Sequence, residues 1–85
     1  LTSMDARLKS CLAFTKKKEN YIEGNRNNFV YLFASNCNRE GINENDVLNF
    51  AKQEFNLPAV ELESSIRSAY SHHGNEHGKN QVMTF

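Results

Sequence analysis

An 85-residue chain with ten acidic and ten basic side chains, 39% of it apolar, describes one small domain with no room for a second core. A chain this short buries only ~60–65% of its unfolded surface, so its stability margin is thin. No stretch approaches the ~18 consecutive apolar residues of a membrane span, and no charged-then-apolar leader opens the chain, so a cytoplasmic location is expected.

Neutrality hides an uneven distribution. Residues 1–39 carry seven cations against three anions, and residues 40–85 carry three against seven. A basic first half is compatible with a polyanion partner on one face, although solvated helix faces produce similar imbalances. Six Phe and three Tyr without Trp imply a core filled by phenyl rings. Cys11 and Cys37 could pair, but on apolar helix faces they are expected to serve as small buried hydrophobes, consistent with a reducing compartment. Because the chain opens at Leu1, it is expected to be a piece of a longer protein.

The first helix is expected from Asp5 to about Lys18. Leu8, Cys11, Leu12 and Thr15 fall at helical spacing, and Ser3 or Asp5 can accept the orphan amide protons of the first turn. The second runs from near Asn25, as its cap, to about Arg39. Phe29, Phe33 and Cys37 form one row and Val30 with Ala34 the adjacent one, the broad stripe of a helix with a buried face. Gly41 ends it, because glycine enters the left-handed region at little cost. Asn43 caps the third helix, with Asp46 as a weak echo of a capping box. Val47, Leu48, Ala51 and Phe55 face inward, and Phe50 lies at the edge. Pro58 suits the first position of a fourth helix, whose stripe is Leu62, Ile66, Ala69 and Tyr70 and whose stop is Gly74. No strand-length alternation occurs. The expected fold is all-α, a bundle of about four helices over residues 1–74, followed by a flexible tail over 75–85 in which Val82, Met83 and Phe85 float or belong to the next segment.

His72, His73 and His77 include the i, i+4 spacing that places two imidazoles on one helix face. Gly74 and Gly78 spoil that helix, and only Glu76 offers a third ligand, so a solvated helix end is expected, with no metal or other cofactor. Catalysis has no footing either. There is no phosphate-cradling Gly-x-x-x-x-Gly-Lys-Ser/Thr run and no Asp-x-Asp pair for two metal ions, and no nucleophile elbow.

Lys16-Lys17-Lys18 is the strongest electrostatic candidate. Three adjacent ammonium groups can follow a phosphate backbone without reading sequence, with Tyr21 close enough in the chain to stack on an unpaired base. Equally, they can be a solvated helix end favoured by the helix dipole. Asn25-Arg26-Asn27-Asn28 opens the second helix, where free N–H groups and the dipole favour an anion. Asn25 and Asn28 read as structural, whereas Arg26 and Asn27 remain open between phosphate contact and structure, with Glu23 a possible partner for Arg26. Arg67 borders the core one step past Ile66 and can extend a basic face or neutralise a carboxylate.

Gly24, Arg26 and Asn27 leading into Phe29–Ala34, then Gly41, then Leu57-Pro58, Glu61-Leu62 and Arg67-Ser68-Ala69-Tyr70, together resemble the primase C-terminal family over residues 20–72. These are helical domains of replication primases from plasmids, phages and other mobile elements. The resemblance implies a non-catalytic, bacterial, cytoplasmic accessory domain of a DNA replication protein. It would assist primer synthesis by holding template or primer DNA beside primase or helicase domains of the same chain. From the charge asymmetry and the Arg-Asn turn, Lys16, Lys17, Lys18, Arg26, Asn27 and Arg67 are expected to contact backbone phosphates; the three lysines lie outside the stretch that carries the resemblance. The alternative is a helical protein–protein docking module without nucleic-acid contact, exposing an apolar patch around Phe14, Tyr21 or Phe50. A helix-turn-helix reader is disfavoured, since Glu61 and Glu63 on the fourth helix would repel phosphate.

Overall fold

The computed structural model describes residues 3–81. Four α-helices form in the order read from sequence: α1 (Met4–Lys16), α2 (Arg26–Arg39), α3 (Glu44–Glu54) and α4 (Ala59–His72). There is no strand among the described residues, and none of their helices is long and apolar enough to cross a membrane.

Local chemistry accounts for most boundaries. Ser3 caps α1, its Oγ accepting the Ala6 N–H at 3.1 Å, and Asn43 caps α3, its Oδ1 accepting the Asn45 N–H at 2.8 Å. Both satisfy amides that have no partner inside the helix. The end of α2 is a Schellman motif. Gly41 takes φ +77°, its N–H donates to the Asn38 carbonyl at 3.0 Å, and the Ile42 N–H reaches the Cys37 carbonyl at 3.1 Å. Ile42 is then fully buried, which fixes the turn into α3. Gly41→Ala places a Cβ on a left-handed residue and is expected to cost ~1–2 kcal/mol, measured as a lowered denaturation midpoint with an unchanged slope.

Two expected caps work differently. Asn25 occupies the cap position of α2 but makes no capping bond. Its Nδ2 donates to the Asn20 carbonyl and its Oδ1 accepts from Asn28 Nδ2. Pro58 stands one position earlier than expected, at the cap of α4, where its carbonyl receives the Glu61 and Leu62 N–H groups.

α2 is the central helix, packing against α1, α3 and α4. Phe29, Val30, Phe33, Ala34 and Cys37 are fully buried, as the stripe predicts. The rings interlock. Phe55 lies 5.1 Å from Tyr21, 5.9 Å from Phe29 and 5.6 Å from Phe33 between centroids, and Phe33 also meets Phe50 at 5.7 Å. The edge-to-face pairs among them suit the ring quadrupole. Tyr70 ties α4 to the α2–α3 turn, donating its hydroxyl to the Ile42 carbonyl at 2.6 Å. Burial pushes that phenol well above its ordinary range.

Two 3-10 turns, Gly74–Glu76 and Lys79–Gln81, follow α4 and run into the segment expected as a tail from residue 75, and the stretch is bonded to α2. Asn38 organises them. Its Nδ2 donates to the His73 carbonyl at 2.6 Å, its Oδ1 meets His77 Nδ1 at 2.7 Å, and its carbonyl accepts the Gly78 N–H at 2.8 Å. This capture, not a left-handed Gly74, ends α4: φ at Gly74 is not positive. Val82, Met83 and Phe85 lie outside the described residues.

Arg39 Nε donates to Glu76 Oε1 at 3.1 Å, which holds the Glu76 carboxyl below its ordinary value of 4.5. A lowered folded-state pKa contributes stability above the unfolded value and loses it as pH falls through the folded one. Acidification below pH 4.5 is therefore expected to loosen the turn at Glu76. Faster amide exchange at Gly78 before any global unfolding would register this; Gly78 protection unchanged until the whole domain melts would contradict it.

Candidate nucleic-acid interface

α1 lies antiparallel on α2, a direction fixed by three levels of contact. Near its start the Arg7 guanidinium donates to the Glu40 carbonyl. In the middle stand Cys11 and Cys37, both buried in the shared core. Near its end Thr15 Oγ1 accepts from Asn36 Nδ2 at 2.9 Å while donating to the Cys11 carbonyl at 2.8 Å. As residue numbers rise along α1 they fall along α2, so the end of α1 that carries the lysines points toward the start of α2.

Lys16 closes α1, Lys17 is its C-cap, and Lys18 follows in the turn. All three are exposed, and none forms an ion pair among the described residues. Lys18 Nζ lies over the Phe14 ring, 5.2 Å from its centroid, and Phe14 itself is 47% exposed. Phe14 also lines an open groove of about 790 Å³ between α1 and α2, together with Arg7, Ser10, Asn36, Arg39 and Asn80. Glu40 adds one carboxylate to this wall, held by Asn80 Nδ2 at 3.1 Å. Each guanidinium there is engaged once, Arg7 by a carbonyl and Arg39 by Glu76, which leaves further donors of the five that each carries.

The other sequence candidates fall elsewhere. From the level of Asn36 back to Arg26 is ten residues of α2, ~15 Å of helix rise. Arg26 is half-buried, its guanidinium 5.8 Å over the Tyr21 ring, not on Glu23, and its Nε is enclosed without a partner. Asn27 is exposed in the first turn of α2, where no side chain caps the free N–H groups. Arg67 lines a different hollow, of about 330 Å³, with Asn38, Glu44, Tyr70 and His77. It therefore has a carboxylate and a histidine for neighbours and no lysine of the cluster.

Tyr21 departs from its expected role as a stacking platform. Its ring is packed against Phe29 and Phe55, and its hydroxyl donates to Asn56 Oδ1 at 2.6 Å, so it seals the core. Among the described residues, Phe14 is the ring left open to solvent. The sequence offers Phe14 only as part of an exposed apolar docking patch, although Arg7, Ser10, Cys11 and Phe14 recur at helical spacing on one side of α1 and so line the groove together.

The histidines enter hydrogen bonds instead of converging. Tyr31 Oη lies 3.2 Å from both His72 Nδ1 and His73 Nε2, and His77 serves Asn38. Among the described residues no three His, Cys, Asp or Glu side chains come together as a metal site. No family model, curated protein or solved structure matches this chain.

Proposed function

We propose that this chain is a non-catalytic accessory domain that holds the backbone of single-stranded DNA, within a replication protein that also carries primase or helicase domains. The replication context rests on the resemblance to mobile-element primases carried by Gly24, Arg26, Asn27, Leu57-Pro58 and Arg67-Ser68-Ala69-Tyr70. One structural observation supports the binding mode: three exposed, unpaired lysines end α1, and one of them, Lys18, stands over an exposed phenyl ring that lines a groove containing two arginines. Ammonium groups release counterions from the phosphates, and a ring such as Phe14 offers any base a stacking face worth ~1–3 kcal/mol. The volume of the groove lies within the ~300–1,000 Å³ span of ligand sites. Arg26 and Asn27 would extend the phosphate track at the start of α2, whereas Arg67 stands apart from it.

The test is a fluorescence-anisotropy titration of a labelled oligothymidylate at ~50 and ~200 mM salt. With three phosphate contacts at a slope of ~0.7 each, affinity falls ~20-fold between those salts. Absence of binding at the lower salt removes the proposal.

A docking module remains the second reading, favoured by Ile22 and Val60, which are 57% and 69% exposed. Of the rings named for that reading, Tyr21 and Phe50 are half-buried against the core, leaving Phe14. A DNA-independent complex with a neighbouring replication domain, lost on Val60→Asp but kept on lysine replacement, would favour it.

A further inference from the structure

We propose that Cys11 and Cys37 form a peroxide-oxidisable dithiol, with Cys11 as the reacting sulfur, Cys37 as the resolving one, and an α1–α2 disulfide as the product.

Geometry carries this. The two cysteines occupy the middle contact level between α1 and α2, flanked by the Arg7–Glu40 bond on one side and the Thr15–Asn36 bond on the other. Those flanking bonds hold the helices in a register that brings the two cysteines to the same level of the shared core, and both are free. Their surroundings differ. Cys11 retains 5% exposure and lines the open groove, whereas Cys37 is fully enclosed and lines neither that groove nor the hollow beside Arg67. A small hydroperoxide entering the groove therefore meets Cys11 first.

The electronic asymmetry runs the same way. The neighbouring Cys37 lowers the Cys11 pKa against burial and the Glu40 charge, with a smaller lowering from the Arg7 charge. Burial, followed by the neighbouring Cys11, raises Cys37. Because the thiolate is the nucleophile, the sulfur that can be reached is also the one more readily ionised.

The chemistry balances with hydrogen peroxide as the oxidant. The Cys11 thiolate attacks one peroxide oxygen, the O–O bond breaks, and the departing hydroxide takes up a proton as water, leaving Cys11 sulfenic acid. Cys37 sulfur then attacks Cys11 sulfur, the S–O bond breaks, and the hydroxide leaves as water with the Cys37 proton. Two thiols lose two electrons and peroxide becomes two waters. The resulting bond pins α1, and with it the Lys16–Lys18 end, to the central helix. This inference does not depend on nucleic-acid binding.

The test treats the full chain with hydrogen peroxide and follows free thiols under denaturing conditions, intact mass and non-reducing gel mobility. Expected are loss of both thiols, a mass decrease of two hydrogens, a chain that stays monomeric, and full reversal by dithiothreitol. Cys37→Ala is expected to stop at a sulfenic acid that dimedone traps, and Cys11→Ala to keep its remaining thiol through the same exposure. Helicity by circular dichroism verifies that each variant is folded, and the wild-type measurement stands without them. Persistence of both thiols, oxidation proceeding only to intermolecular dimers, or loss of Cys37 in folded Cys11→Ala at the wild-type rate would each overturn the assignment.

Discussion

Replacing Phe33 by alanine is expected to remove ~3–5 kcal/mol of folding stability, the range for truncating a fully enclosed phenyl ring. Phe33 is at 0% exposure in the middle of α2, touching Phe50 from α3 and Phe55 at the end of α3. The loss therefore falls where three of the interlocked rings meet, and a cavity there has no flexible surface group to fill it. At ~0.05–0.15 kcal/mol per residue, a chain of 85 residues has only ~4–13 kcal/mol in total. The variant is thus expected to lose about a quarter or more of that total and to unfold at a much lower urea concentration, whereas Phe33→Leu, which keeps most of the volume, should stay close to wild type. Urea denaturation followed by circular dichroism decides this. A Phe33→Ala midpoint within error of wild type would mean that the aromatic cluster does not organise the fold.

The second large effect concerns the lysines. Replacing Lys16, Lys17 and Lys18 together by alanine removes three candidate phosphate contacts, so the slope of log affinity against log salt should fall by about 2. Stability should barely change, because all three side chains are exposed and unpaired and exposed charges contribute little to folding. This separation makes the triple variant informative: weakened binding cannot be blamed on a damaged core. Arg67→Ala should leave the slope unchanged, since Arg67 lies in the hollow with Glu44 and His77. Equal slopes for wild type and the triple variant would remove the lysines from the interface.

Much of the fold was legible because it is written in local rules. The apolar rows of α2, the capping Ser3 and Asn43, and the left-handed Gly41 each depend on residues within about one turn of one another, the range at which sequence spacing maps directly onto a helix face. What escaped depends on partners far along the chain. Asn38 stands on the α2 face as an amide among hydrophobes, and nothing in its neighbourhood says that His73, His77 and Gly78 will come to meet it. Without that meeting the segment after His72 has no period and reads as a tail. Tyr21 is a similar case. An aromatic residue beside a lysine run suggests a stacking platform, yet core closure claims its ring because Phe29 and Phe55 need a lid.

The candidate site divides along the same line. The lysine run is contiguous in sequence and was visible as a charge cluster. The groove beside it combines Arg7, Ser10 and Phe14 of α1 with Asn36 and Arg39 of α2, a set that exists only once the two helices lie antiparallel. Arg67 and the lysines shared a charge sign in the sequence and do not share a surface hollow in the fold. The thiol pair illustrates the converse. Each cysteine occupies an apolar position, as its helix predicts, and their placement at one level of the core follows from the register between helices and not from either row alone.

The central claim is that DNA is held at the α1 lysine end and the adjoining groove. Mapping backbone amide shifts by NMR while titrating an oligothymidylate into the isotopically labelled chain addresses it most directly. The account predicts that the largest perturbations cluster at Phe14–Lys18 and extend to Arg7, Asn36 and Arg39, with the α4 amides around Val60 and Arg67 silent. Perturbations centred on α4, or none at low salt, would contradict it.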